Sequence, residues 1–134
     1  MTKPEIRVND EARMTNSPVA APREYDLEER TARFGEEVIA FAKRIPVNEV
    51  TRSLISQLVR AAASVGTNYV EADDSDSKKD FRFKIGLSRR EAKESKHWLR
   101  MVVAAEPSLK EAARPLWPEA KELNLIFGAI RRKN

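Results

Sequence analysis

Leu54-Ile55-Ser56-Gln57-Leu58-Val59-Arg60-Ala61-Ala62-Ala63-Ser64-Val65-Gly66-Thr67-Asn68-Tyr69-Val70-Glu71-Ala72 is the stretch whose reading decides the fold. Leu54, Ile55, Leu58, Ala61, Ala62, Val65, Tyr69 and Ala72 recur at steps of three and four, the spacing that puts side chains on one side of a helix. Gln57, Arg60, Ser64, Asn68 and Glu71 recur at the same steps and form a polar column beside that apolar side. Ala61, Ala62, Ala63, Ser64 and Gly66 are small enough to let a neighbouring helix come close. A helix with two such long faces requires partners on more than one side.

Outward from this helix the chain repeats the pattern. Before it, Leu27, Thr31, Phe34, Val38, Phe41 and Ile45 alternate steps of four and three, which is a bundle seam. This first helix is expected to start near Asp26, with Glu29 completing a capping box, and to end at Pro46. The second helix is expected from Asn48 or Thr51 to Ala72. Asp73-Asp74-Ser75-Asp76-Ser77 then breaks the helix, because Asp and Ser side chains compete for backbone hydrogen bonds. Ser77 and Asp80 supply the start of a third helix reaching about Ala104. Pro107 stops it, Ser108 and Glu111 offer a further capping box, and a last helix runs from Leu116 or Pro118 to Arg132. Its core stripe is Leu116, Ala120, Leu123, Phe127 and Ile130.

Four helices with short links and no internal repeat predict an all-α, antiparallel up-down-up-down four-helix bundle over residues 24–134. Residues 1–23 carry Pro4, Pro18 and Pro22 without apolar periodicity and are expected to be a disordered tail. The 134 residues suffice for one domain with one core. The absence of cysteine removes disulfide and thiol chemistry and fits a cytoplasmic location. No apolar run approaches the roughly 20 residues of a membrane span, so no membrane partner is expected.

The third helix carries the most informative surface. Projected at about 100° per residue, Lys78, Arg82, Arg89, Lys93, Lys96 and Arg100 fall in one sector. Phe81, Ile85, Ser88, Ala92, Ser95, Leu99 and Val102 face the core. Between Lys78 and Arg100 there are nine basic residues against three acidic ones. The net charge of +4 favours acidic partners only mildly. Such a stripe is either a solvated face, partly paired with acids of a neighbouring helix or subunit, or a track for phosphates reinforced by Arg131-Arg132-Lys133. No aromatic residue is interleaved with the stripe along the helix, so base stacking is not suggested and any binding is expected to be salt-sensitive and directed at the backbone. On another flank, Phe83, Leu87 and Trp98 form an apolar patch expected at a subunit interface. Val59, Ala63 and Val70 make a second one. The polar column is expected to hydrogen-bond across helices and set their register.

Catalytic and metal chemistry find little support. His97 is the single histidine, and no phosphate-cradling glycine loop or Ser/His/Asp set is present, so no catalytic residue, metal, cofactor or small-molecule substrate is expected. Arg90 and His97 look like the Arg-then-His pairing of HEPN-type ribonucleases, helical bundles in which Arg holds phosphate and His acts on the ribose hydroxyl or leaving group. Seven helical steps separate the two by about 10 Å, and the pattern of two residue types is loose.

Four ordered blocks carry a broader resemblance: Ser56-Gln57-Leu58-x-Arg60-Ala61-Ala62-x-Ser64-Val65-x-x-Asn68-x-x-Glu71, Ser77-Lys78-Lys79-Asp80-Phe81, Glu91-Ala92-Lys93-Glu94-Ser95-x-x-Trp98-Leu99, and Glu119-Ala120-x-Glu122-Leu123. From Tyr25 to Ile130 the chain resembles the bacterial four-helix-bundle proteins encoded by intervening sequences in large-subunit ribosomal RNA genes. Ala72 stands where that family usually has Gly, and Tyr69-Val70 replaces a common Ile-Ala. The resemblance implies a ring-shaped homo-oligomer, typically a homopentamer, with no established enzymatic activity. It also implies kinship with accessory proteins of diversity-generating retroelements, whose basic rings engage a reverse transcriptase and nucleic acid. The expected function is thus a non-enzymatic, oligomeric bundle binding RNA or DNA, or a nucleoprotein partner, through the third helix. A protein-interaction scaffold is the first alternative and a HEPN-like ribonuclease the second.

Overall fold

The computed structural model describes residues 27–134; the expected tail and the Asp26 cap lie outside the described residues. Helices α1 (Leu27–Ala42), α2 (Thr51–Asp73), α3 (Lys78–Ala105), the short α4 (Lys110–Ala113) and α5 (Leu116–Lys133) follow one another, with a 3₁₀ turn at Pro107–Leu109 before α4. Among the described residues there is no strand, and no helix is long and apolar enough to cross a membrane.

The links are set by local chemistry. After Ala42 the backbone tightens, with Arg44 N–H donating to Phe41 O and Ile45 N–H to Ala42 O. Regular α-helix therefore ends before Pro46 is reached, several residues earlier than expected, although Ile45 stays buried. Asn48 Oδ1 accepts from the N–H groups of Val50 and Thr51, while Thr51 Oγ1 accepts from Asn48 N–H and donates to Pro46 O. This pairing fixes the start of α2 at Thr51. Ser77 Oγ accepts from Asp80 N–H at 3.0 Å and caps α3 as the sequence suggests. Ser108 does not cap. Its hydroxyl donates to Glu106 Oε2, and Glu111 instead holds Arg114, so the expected capping box does not form. Leu116 opens α5, and Pro118 is tolerated in its first turn, where N–H groups have no intrahelical acceptor.

α3 is the central element. It packs most extensively on α2 and α5, while α1 lies mainly on α2 and touches α5 sparsely. One core joins all of them, with Phe34, Leu58, Ile85, Leu99, Leu123 and Phe127 essentially solvent-free. The seam Leu27, Thr31, Phe34, Val38, Phe41 and Ile45 is buried throughout. Of the long stripe on α2, Leu58, Ala61, Ala62, Val65 and Ala72 are buried, whereas Leu54, Ile55 and Tyr69 are half-buried at the margin. The buried hydroxyls have acceptors: Thr31 Oγ1 donates to Leu27 O at 2.7 Å, Ser95 Oγ to Glu91 O, and Ser88 Oγ crosses between helices to Val65 O at 2.9 Å.

Small residues set the closest approach. A methyl group built on Gly35 would meet Ala62 O at 3.7 Å, and one on Gly66 would meet Thr31 Oγ1 at 3.2 Å. Residue 31 thus faces 66 and residue 35 faces 62, so these pairs step in opposite senses along the two helices. The α2–α3 pairs Val65–Ser88 and Glu71–Lys84 do the same, as do the α3–α5 pairs Arg89–Asn124 and Lys96–Trp117. α1 is tied to α5 by a two-pronged ion pair, Arg30 Nε to Glu119 Oε2 at 2.8 Å and Nη2 to Oε1 at 2.9 Å.

Candidate nucleic-acid interface

The basic residues of α3 divide into two populations. On the α2 side, charges are neutralised within the molecule. Lys84 Nζ lies 2.6 Å from Glu71 Oε1, a hydrogen bond that holds the ammonium above its ordinary pKa against partial desolvation. Arg60 of α2 reaches Glu91 at 3.2 Å and Glu94 at 3.1 Å. Two residues of the polar column, Arg60 and Glu71, thereby make three ion pairs between α2 and α3. Asn68 instead donates to Ser64 O within its own helix, and Gln57 is exposed.

On the other side, no ion pair joins Lys78, Arg82, Arg89, Lys93, Lys96 or Arg100 to an acid among the described residues. Lys78, Lys93 and Arg100 are exposed, and Arg82, Arg89 and Lys96 half-buried. The α5 packing explains the partial burial. A methyl on Gly128 would meet Arg132 Nη1 at 3.4 Å and Arg89 Cδ at 3.5 Å; one on Gly86 would meet Arg131 Nε at 3.0 Å. The two glycines leave room for arginine side chains to lie across the α3–α5 seam. Asn124 Nδ2, donating to Arg89 O at 2.9 Å, fixes the register there. The C-terminal Arg131 and Arg132, distant in sequence, therefore reinforce the stripe at Gly86 and Arg89. Concentrated like charge with few internal counter-charges is an anion-seeking surface.

α3 itself interleaves no aromatic residue with the stripe, but a neighbouring helix brings one to its far end. Lys96 Nζ sits 4.8 Å from the centroid of the Trp117 ring, which α5 supplies and which is 39% exposed. Trp117 belongs to a different helix, so a projection of α3 alone does not contain it; the packing of α5 on α3 brings it to Lys96. Next to it a groove of about 350 Å³ is lined by Leu99, Arg100, Val103, Lys110, Ala113, Arg114, Trp117 and Pro118.

The expected apolar patch is uneven. Phe83 is 59% exposed, Leu87 is half-buried, and Trp98 packs against the core with its Nε1 buried and without a hydrogen-bond partner among the described residues. Of the second patch, Val70 and Ala63 are exposed, while Val59 packs on the core. Arg90 and His97 are both exposed, and the His97 ring stands edge-on to Trp98 with centroids 5.1 Å apart. Among the described residues no three His, Cys, Asp or Glu side chains converge to hold a metal ion.

A second groove, between α1 and the α4–α5 region, is lined by Glu37, Ala40, Phe41, Arg44, Ala112, Pro115 and Leu116. The pKa of Glu37 is raised from its ordinary value, chiefly because its surroundings desolvate it and secondly because Glu119 is negative nearby, with Arg33 opposing.

Comparison with known proteins agrees with this architecture. No curated protein matches the chain. A solved structure that does match is a protein of unknown function from the S23 ribosomal protein family of Bacteroides thetaiotaomicron; the TM-score is 0.70 at 24% identity, over 78% of this chain and 97% of that one. At that identity the likeness establishes the fold alone. Residues 23–128 match the family description "23S rRNA-intervening sequence protein", a span containing all four sequence blocks read above. The chain belongs to the 23S rRNA-intervening sequence protein family.

Proposed function

We propose that this chain is a non-enzymatic up-down-up-down bundle, assembled as a homo-oligomeric ring, that binds the backbone of RNA or DNA along the α3–α5 seam. The observation carrying this reading is the division of charge on α3. Lys84 has an acidic partner on α2, whereas the stripe from Lys78 to Arg100 has none among the described residues and is reinforced by Arg131 and Arg132. Arg131 and Arg132 of α5 lie beside Gly86 and Gly128 and bring further positive charge to the stripe at the α3–α5 seam. The ring is supported by the exposed ring of Phe83 and by the family resemblance.

The test is charge reversal at Arg82, Arg89 and Lys93 together. Loss of three phosphate contacts is expected to weaken binding and to reduce the slope of log affinity against log salt by about 2 to 3. Tight, salt-insensitive binding by the variant, or no binding by wild type at low salt, would overturn the reading. RNA recovered cleaved from wild type but intact from His97→Ala would overturn its non-enzymatic part.

A further inference from the structure

The groove at the end of the stripe has a composition the stripe itself lacks. Leu99, Val103, Ala113 and Pro118 give it apolar walls, Trp117 a flat aromatic one, and Arg100 and Lys110 two cations with no acidic partner among the described residues. Arg114, the third cation of the lining, is neutralised by Glu111, at 2.6 Å between Nη2 and Oε2. Among the described residues no acidic side chain lines the groove. Its volume of about 350 Å³ lies at the small end of ligand sites, and Arg100 belongs both to the groove and to the stripe.

We infer that this groove is a subsite for one unpaired nucleotide, its base against Trp117 and its phosphate held by Arg100 and Lys110. The inference rests on the reading of the stripe as a backbone track and deepens it. Duplex bases are hidden in their stack, so a duplex can engage the stripe but cannot fill the groove. A single strand, or the single-stranded side of a junction, supplies both the phosphates and a free base. Trp117 suits that role because stacking on an indole is available to every base and does not require sequence readout. Lys96 covers part of the ring without lining the groove, which adds positive charge where the next phosphate would pass. An uncharged apolar occupant would leave Arg100 and Lys110 without counter-charge.

The experiment measures binding of a fluorescein-labelled RNA strand, alone and as a duplex of equal length, by the full chain and three variants. Trp117→Ala should lower single-strand affinity by about 5- to 150-fold, the range for one lost base–aromatic stack. It should leave duplex affinity and both salt slopes unchanged, since no charge is removed. Trp117→Leu keeps apolar bulk without a ring to stack on and should lose single-strand affinity as the alanine variant does; it stands in if circular dichroism shows the alanine variant losing helicity. The triple charge reversal should weaken both forms. Equal effects of Trp117→Ala on both forms, or none on either, would overturn the subsite while the stripe reading stands if the charge reversal still weakens binding. Loss with Trp117→Ala but not with charge reversal would overturn the stripe and leave the groove. Wild type binding neither form at low salt would overturn both.

Discussion

Two glycines, Gly86 and Gly66, are expected to respond to the same substitution with opposite signs. Each lies inside a helix, α3 and α2 respectively, where replacing Gly by Ala is worth about 0.5–1 kcal/mol through backbone entropy. What the new methyl meets decides the rest. At Gly86 it would lie 3.0 Å from Nε, 3.4 Å from Cδ and 3.6 Å from Cζ of Arg131, near the end of α5. That is the far part of a flexible side chain at a helix terminus, which can swing away, so Gly86→Ala should stabilise by about 0.5–1 kcal/mol. At Gly66 the methyl would meet Thr31 Oγ1 at 3.2 Å, Cβ at 3.5 Å and backbone C at 3.7 Å. Thr31 is 1% exposed and its hydroxyl is bonded to Leu27 O at 2.7 Å, so the α1–α2 seam itself must open. Overpacking of about 1–3 kcal/mol then exceeds the helix gain, for a net loss of about 0.5–2 kcal/mol.

Urea unfolding followed by circular dichroism, at one protein concentration, reads both effects. With a denaturant dependence of about 1–3 kcal/mol per molar, the midpoints should move by several tenths of a molar in opposite directions. Destabilisation by Gly86→Ala, or stabilisation by Gly66→Ala, would refute the account of how these seams are packed.

Glu37→Gln should stabilise the protein at neutral pH, with the advantage vanishing in acid. Its folded pKa is raised, mainly by desolvation and then by Glu119, so the folded state binds the proton more readily than the unfolded one. Stability contributed by the protonated form is fully present below the unfolded carboxylate pKa and is lost as pH rises through the folded value. Because the side chain reaches solvent, the effect should be small; a difference between variant and wild type that is constant from acid to neutral pH would contradict it. For the ring, Phe83→Glu should lower the particle mass seen by light scattering while retaining helicity, and an unchanged mass would reject Phe83 as part of the contact. Phe83 suits this test better than Trp98, whose ring packs on the core and whose replacement by a carboxylate would act on folding.

Periodicity carried the core because burial in a helical bundle is one-dimensional. Leu27 to Phe41 on α1, Ile45 just beyond it, and Leu116 to Phe127 on α5 can be placed inside from steps of three and four alone. Caps were legible where the side chain and its backbone partner are close in sequence, as at Ser77 and Asp80. Ser108 shows the limit of that logic, since Glu106 two residues away offers its hydroxyl a charged acceptor. The end of α1 is another: Pro46 has no N–H for Ala42 O, and Ile45 N–H bonds that carbonyl instead, so the proline's effect is felt back to Ala42. The candidate site was half legible. The stripe on α3 follows from projection of one helix, and the basic end of α5 at Arg131 and Arg132 is visible in the sequence, but where that end and Trp117 meet the stripe depends on the register between α3 and α5. That register is held by contacts such as Asn124 to Arg89 O, which no single-helix projection contains. The unevenness of the Phe83, Leu87 and Trp98 flank has the same origin, since packing against neighbours draws Trp98 inward and leaves Phe83 out.

The two tryptophans give the protein a pair of built-in optical probes. The indole N–H of Trp98 is buried and has no acceptor among the described residues, whereas Trp117 stands partly in solvent with an ammonium group over its ring. Indole emission moves to longer wavelength as surrounding dipoles relax around the excited state. Trp98 should therefore emit at the blue side of the spectrum and Trp117 at the red side. Acrylamide should quench the red component first, and unfolding should merge the two. Trp98 then reports on the integrity of the bundle and Trp117 on the occupancy of its groove, with no label attached.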